Sequence, residues 1–339
     1  MDSITQVTLG AAVGEAILGK KTGYKAAVWG GVLGTLPDLD ILANPLLDQV
    51  SELYFHRGIT HSFFFAIAAA PVIGLGLKKL HKSDGATLKN WTFFVFWIFL
   101  THILIDLPTN YGTQIFQPFT NRPFATDALF IIDPLFTVPI LLGVLSAQIL
   151  RRRGSLGDSL NRAGLIISAV YLLWAHAIKS QVHAVYTESF EQQHGYIDQM
   201  RTIPNGPTTF LWSGYIIRQD TVYHAVYSIF DDSLDLEFQK IPRNSSLIDP
   251  YWDDRGMEAL LWFSRGYYTV ETDDSGDLYF YDLRFGREDL YLQQDAGYVW
   301  SNRLLIDEEN NAYSFEQSLP SFDVRSRNLK LFWDRIWGQ

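Results

Sequence analysis

Six apolar runs, at about residues 4–19, 24–36, 62–77, 91–107, 129–150 and 164–182, leave this chain few ways to fold outside a membrane. Soluble helices carry a charged face, and these runs lack one over many successive turns. Several are short for a span, which takes roughly 20 residues. The first pair, ITQVTLGAAVGEAILG and YKAAVWGGVLGTL, is rich in Gly and Ala, which suits close helix packing inside a bundle. The opening MDSITQ is acidic and polar rather than basic, so the first run is read as retained and not as a cleaved signal.

The charges between the runs predict topology, because Lys and Arg concentrate in short cytoplasmic loops. Lys20, Lys21 and Lys25 follow the first run, Lys78, Lys79, Lys82 and Lys89 the third, and Arg151, Arg152, Arg153 and Arg162 the fifth. The loops after the second and fourth runs hold only Arg57 and Arg122. Six crossings of the inner (cell) membrane with both termini outside satisfy this pattern. Loops 37–61 and 108–128 and the C-terminal half are then extracytoplasmic.

The two halves differ in charge: residues 1–183 carry 14 Lys+Arg against 11 Asp+Glu, residues 184–339 carry 13 against 26. The expected organisation is a transmembrane helical domain over 1–183 and an extracytoplasmic β-rich domain over 184–339. The acidic half offers no basic patch for phosphates, and the front-half cations sit between apolar runs, so nucleic acid is not an expected partner. The chain has no cysteine, so thiolate ligation and disulfides are excluded and any metal must bind through His, Asp and Glu.

Placed on that topology, seven such residues fall at one membrane face. Asp38 and Asp40 of PDLD close the second run, His56 and His61 lie in HRGITHS, His102 and Asp106 in HILID end the fourth run, and Asp133 opens the fifth. His102 and Asp106 are four apart, so a helix presents them on one side, roughly 6 Å apart. Gly58 supplies a turn to bring His56 and His61 together, Thr60 is a candidate cap for the next helix, and Pro37 stops the second helix and frees both aspartates. Ionisable groups at membrane depth cost about 2.5–3.5 kcal/mol each on insertion scales, and a divalent cation compensates several at once. The donor set fits one or two ions, zinc foremost, with manganese or iron as alternatives. Asp38, His61 and Asp106 are the candidates for catalysis. Asp133 can instead be a helix cap, and Asp40 can bond its own turn.

PDLD, HRGITHS and HILIDLPTNYGT, with the opening MDSITQVTLGAAVGEAILGKK, resemble the YdjM/YbcI-type family of membrane-bound, metal-dependent hydrolases over residues 1–150. The resemblance implies metal association for Asp38, Asp40, His56, His61, His102 and Asp106. The family pattern has a histidine where this chain carries Gln6, whose amide can still hydrogen-bond to water at a metal. LLWFSRGYYTVE and LYFYDLRFG resemble the C-terminal part of longer members.

From about residue 203 the pattern turns from helical to alternating. TVYHAVYSIF, GYYTVETD, GDLYFYDLRF and VWSNRLLID read as antiparallel strands, with Pro204, Gly206 and Pro207 marking a linker. NLKLFWDRIWGQ reads as a final amphipathic helix touching the membrane surface, and the β-domain as a lid or filter over the membrane site. The expected fold class is an α-helical polytopic membrane bundle of about six helical segments followed by a small, mostly antiparallel β-domain. The expected function is hydrolysis of an ester or phosphoester in a lipid or lipid-linked amphiphile, with membrane lipid as partner. The alternative is a non-enzymatic transporter or a metal-stabilised scaffold.

Overall fold

A computed structural model describes residues 1–151, 155–291, 297–307, 312–318 and 329–338. Arg152 and Arg153, counted above among the loop cations, lie outside the described residues, as do Asn328 and Gln339 at the ends of the last predicted helix. The chain forms two compact units, one of Met1–Leu46 with Tyr54–His176, the other of Leu47–Leu53 with Ala177–Gln339.

The first unit is helical, and its helices start where the sequence supplies caps. Asp2 accepts from the amides of Ile4 and Thr5 at the head of α1 (Ser3–Thr22). Gly23, at φ 66°, ends α1 and lets the chain fold back into α2 (Lys25–Thr35). Pro37 then turns the chain into a 3-10 segment, Pro37–Leu46, bent by 42° from α2. A short α3 (Gln49–Phe55) follows. Ser62, not Thr60, caps α4 (Phe63–Leu80) by accepting from the Phe65 amide. Thr87 and Asn90 cap α5 (Leu88–Asp106) reciprocally. Asp133 and Pro134 open α6 (Pro134–Ile149), and α7 (Leu156–His194) continues for 39 residues.

The six expected helical segments are thus α1, α2, α4, α5, α6 and α7. Three of them, α4, α5 and α7, are long and apolar enough to cross a membrane, or four spans if α2 and its bent continuation count as one. That is fewer than the six crossings expected. At 11 residues α2 is only about 16 Å long, and α1 carries Thr5, Gln6, Thr8 and Glu15 into the bundle interior. Close packing explains the glycines: a Cβ on Gly10 would lie 2.2 Å from the Gly30 carbonyl oxygen, so the two backbones touch. A core of Trp91, Phe94, Ile98, Phe99 and Ile103 from α5 fills the centre. Outward faces show Ile67, Val72, Phe93, Leu142, Ile166 and Leu173, as a lipid-facing surface would.

Contacts at the helix ends establish the up-and-down arrangement. At one end Lys21 bonds Asn90, Lys25 pairs with Asp84 at 2.8 Å, and Arg151 pairs with the buried Glu15 at 2.7 Å. At the other end lie Met1, Asp38, His61, Asp106 and the start of α6.

In the second unit two four-stranded antiparallel sheets follow chain order: β1 (Gln199–Pro204), β2 (Leu211–Arg218), β3 (Thr221–Ser228) and β4 (Gln239–Pro242), then β5 (Tyr268–Thr272), β6 (Leu278–Asp282), β7 (Ser301–Asp307) and β8 (Ala312–Ser318). Helix α8 (Arg255–Ser264) separates them. The four strands read from sequence are β3, β5, β6 and β7. The expected linker at Pro204, Gly206 and Pro207 is instead the connection of the β1–β2 hairpin. Val182, Tyr186 and Phe190 of α7 pack with Trp212, Ile216 and Tyr227, and the Tyr186 hydroxyl bonds the carbonyls of Trp212 and Ala225. The last helix, Leu329–Ile336, buries Phe332 and Ile336 against Leu211.

Candidate metal centre

Four side chains meet at one end of the helical unit: Asp38 from the 3-10 segment after α2, His61 from the turn before α4, and His102 and Asp106 from the last turns of α5. Each offers one ligand atom, all within 4.8 Å of one another. His61 Nε2 lies 3.1 Å from Asp38 Oδ1, 3.1 Å from His102 Nε2 and 3.4 Å from Asp106 Oδ2. His102 Nε2 lies 3.6 Å from Asp38 Oδ1 and 3.9 Å from Asp106 Oδ2. Ligand bonds of roughly 2.0–2.1 Å in a tetrahedron give edges of about 3.3 Å, so the donor atoms are spaced for one ion.

The ring tautomers point the same way. His102 Nδ1 faces the Gly34 carbonyl at 2.7 Å, and a carbonyl only accepts, so Nδ1 carries the proton. The Thr60 hydroxyl donates to Asp40 Oδ2 at 3.1 Å and accepts from His61 Nδ1 at 3.0 Å. In their neutral forms, with Nδ1 carrying the proton, both rings aim Nε2 lone pairs at each other and at two carboxylates. Asp106 Oδ2 is buried and accepts no hydrogen bond from the protein. Converging lone pairs repel unless a cation or a proton lies among them, and such outer hydrogen bonds are what orient metal-binding histidines.

The remaining sequence candidates stand around this set. Asp40 accepts from His56 Nδ1 at 2.8 Å, from the Arg57 amide at 3.0 Å and from Thr60, so its oxygens are taken up in orienting the motif. His56 reaches the four through Asp40 and through an edge-to-face contact with the His61 ring at 6.2 Å. Asp133 accepts from the Leu135 and Phe136 amides and from the Tyr171 hydroxyl at 2.8 Å, which is the capping role, and it is not among the four. The left-handed residue that turns HRGITHS is Arg57, at φ 56°, rather than Gly58. Gly58 serves close approach, since a Cβ there would sit 2.8 Å from the Phe55 carbonyl oxygen.

Two residues have roles that charge and spacing did not reveal. Gln6 Nε2 donates to Asp106 Oδ1 at 3.0 Å, so its amide holds a candidate ligand directly. The buried guanidinium of Arg57 stands beside the same oxygen at 3.6 Å. Its position inside HRGITHS was the available signal. The Met1 amino group also pairs with Asp106 Oδ1.

Residues 1–182, which contain every member of this centre, match the YdjM inner membrane protein family. The chain belongs to that family. The "Uncharacterized protein YfhP" of Bacillus subtilis (strain 168) is 25% identical over 202 residues, 56% of this chain and 60% of that protein. The chain thus covers less than two thirds of the length of this curated relative. No solved structure matches the chain. The YdjM match ends within α7, so the two sheets lie beyond it. Within the YdjM region, the four donors, three of them buried, make this chain a membrane-family protein with a group able to hold a divalent metal.

Proposed function

We propose that the protein is an integral membrane, metal-dependent hydrolase that cleaves an ester or phosphoester of a lipid or lipid-linked amphiphile. The observation that carries this reading is the convergence of His61 Nε2, His102 Nε2, Asp38 Oδ1 and Asp106 Oδ2 within 4.8 Å of one another. Asp38, His61, His102 and Asp106 would hold one ion, with zinc foremost among N- and O-ligated metals and manganese or iron as rivals. The engagement of Asp40 by three protein donors supports one ion rather than two. When bound, the ion supplies Lewis acidity and makes a water nucleophilic near neutral pH.

The chain supplies the rest. Asp38 keeps 19% side-chain exposure where His61, His102 and Asp106 keep 1% or less, so substrate and water approach from its side. Its second oxygen would take the proton of the attacking water, which ends on the leaving alcohol. His61 and Asp106 hold the geometry, through Thr60 and Asp40 on one side and Gln6 on the other. The basic loop ends support an extracytoplasmic site with both termini on that face, and the lipid-facing flanks support an amphiphilic substrate.

A metal-stabilised scaffold is the second reading, favoured by one observation: four protein ligands is the count of a closed structural site. Metal-loaded wild type and His61→Ala, screened against ester and phosphoester lipids, separate the two. Turnover by wild type alone is expected. Metal-dependent stability with no turnover on any substrate would establish the scaffold.

A further inference from the structure

We propose that Arg57 is the anion-recognising residue of this centre and that the group it takes is phosphoryl, so the substrate is a phosphoester rather than a carboxylic ester. The inference rests on the metal-site reading above. Three contacts fix the residue. Its amide donates to Asp40 Oδ2 at 3.0 Å, its carbonyl accepts from Gln114 at 3.0 Å, and its Nη1 donates to Thr109 Oγ1 at 3.0 Å. They hold it at φ 56°, a region L side chains rarely adopt and one that clusters at functional sites.

The guanidinium is 4% exposed and lies over the Tyr111 ring at 4.9 Å. For a buried cation its donors are under-used. Among the described residues Nε has no acceptor, and Nη2 is 3.6 Å from Asp106 Oδ1, beyond hydrogen-bond range. Unmet donors on a buried charge are costly, and the planar fork of an arginine matches the oxygens of a phosphate. Position makes the same point. Asp106 turns Oδ2 to the metal set and Oδ1 to Arg57, so a single carboxylate separates the guanidinium from the cation position. Two positive centres at that spacing suit charge spread over phosphoryl oxygens. The neutral carbonyl of a carboxylic ester has one oxygen to polarise, which the ion alone serves. In the reaction the water oxygen forms the new P–O bond, the P–O bond to the alcohol breaks, and a water proton ends on that alcohol.

The test titrates inorganic phosphate into metal-loaded full-length protein in micelles, for wild type, Arg57→Gln and Arg57→Lys, with metal content measured in each. A second arm uses phosphatidic acid in mixed micelles, with diacylglycerol, which lacks the phosphoryl group, as blank. Arg57→Gln is expected to keep its metal and bind the phosphoryl probe about tenfold or more weakly, with Arg57→Lys in between. Arg57 dependence with phosphatidic acid alone identifies a lipid-borne phosphoryl group, and dependence with phosphate alone a soluble one. Unchanged affinity in Arg57→Gln at full metal content, or no binding of either probe by wild type, overturns the proposal and leaves the hydrolase reading standing. Loss of metal from both variants also overturns it, by making Arg57 a positioning residue for the ion. Wild type without metal overturns the metal-site reading and the proposal with it.

Discussion

His61 Nε2 and His102 Nε2 stand 3.1 Å apart although 41 residues separate them in the chain, and the proton of each ring is committed elsewhere. The candidate metal centre follows from that meeting, and so do the first two predictions.

His61→Ala, His102→Ala and Asp106→Asn should each lose bound metal, whereas His183→Ala, at an exposed position of α7, should retain it. Elemental analysis of purified protein checks this. A chelator should also lower the melting temperature of wild type and leave His102→Ala unmoved, because a ligand that binds only the folded state stabilises it by mass action. Equal metal in all four proteins would remove the site.

Asp40→Asn and Thr60→Val leave the four donors in place and disturb what orients His61. Their metal affinity should fall roughly 10–100-fold, the usual effect of losing an outer-shell partner. Competition with a chromogenic chelator gives the number, and an unchanged affinity would mean that the Thr60 relay does not set the tautomer.

Gly30→Ala places a methyl group 2.2 Å from the Gly10 carbonyl oxygen. The helices must separate, at a cost of about 1–3 kcal/mol, and thermal denaturation in detergent should show the loss. Gly76→Ala, where an added Cβ meets nothing within 4 Å, is the control that should stay near wild type.

Because the chain has no cysteine, orientation can be read from single introduced thiols. Phe119→Cys, at a position 83% exposed in loop 108–128, should react with an impermeant maleimide on intact cells. Ser83→Cys, between α4 and α5, should react only after permeabilisation. The reverse pattern would invert the proposed topology.

His224 sits buried in the first sheet, its ring stacked on Tyr291 at 3.6 Å and beside Tyr215 at 4.9 Å. Burial first, and the Arg287 charge second, hold its pKa down at about 3 from 6.5. Below pH 6.5 the unfolded chain takes up a proton that the folded chain refuses. The stabilisation is therefore full above that pH and drains by about 1.4 kcal/mol per unit as pH falls toward the folded value. Urea midpoints followed by tryptophan fluorescence at pH 7.5 and 5.0 should diverge less in His224→Phe than in wild type. Equal divergence would clear His224 of the effect.

How far the sequence could be read depends on what each residue type leaves open. His102 and Asp106 were legible because four residues on a helix fix their relation, and Asp38 and His61 because the loop charges sorted the chain ends. Spacing alone does not say which carboxylate oxygens already accept hydrogen bonds, and those of Asp40, a ligand candidate by sequence, accept from His56, Arg57 and Thr60. Asp133 had two readings, cap and ligand, and the Tyr171 hydroxyl with two amides settles on the cap. Arg57 was seen only as a loop charge. In the second unit, alternation revealed β3, β5, β6 and β7. It failed for β2, where LWSGYIIR is buried on both faces and so shows no alternation. Pro204, Gly206 and Pro207 punctuate a hairpin connection in the same letters that would punctuate a linker.

The bare contact between Gly10 and Gly30 also governs where the aspartates of PDLD come to rest. With no side chains to act as bearings, α1 and α2 have a single seating, and Asp38 inherits its position from that seating across eight residues of α2 and the turn beyond. A one-residue insertion between Gly30 and Asp38 would swing the carboxylate by about 100° and advance it about 1.5 Å. The spacing from that glycine to that aspartate is thus as much a part of the metal centre as the donors themselves.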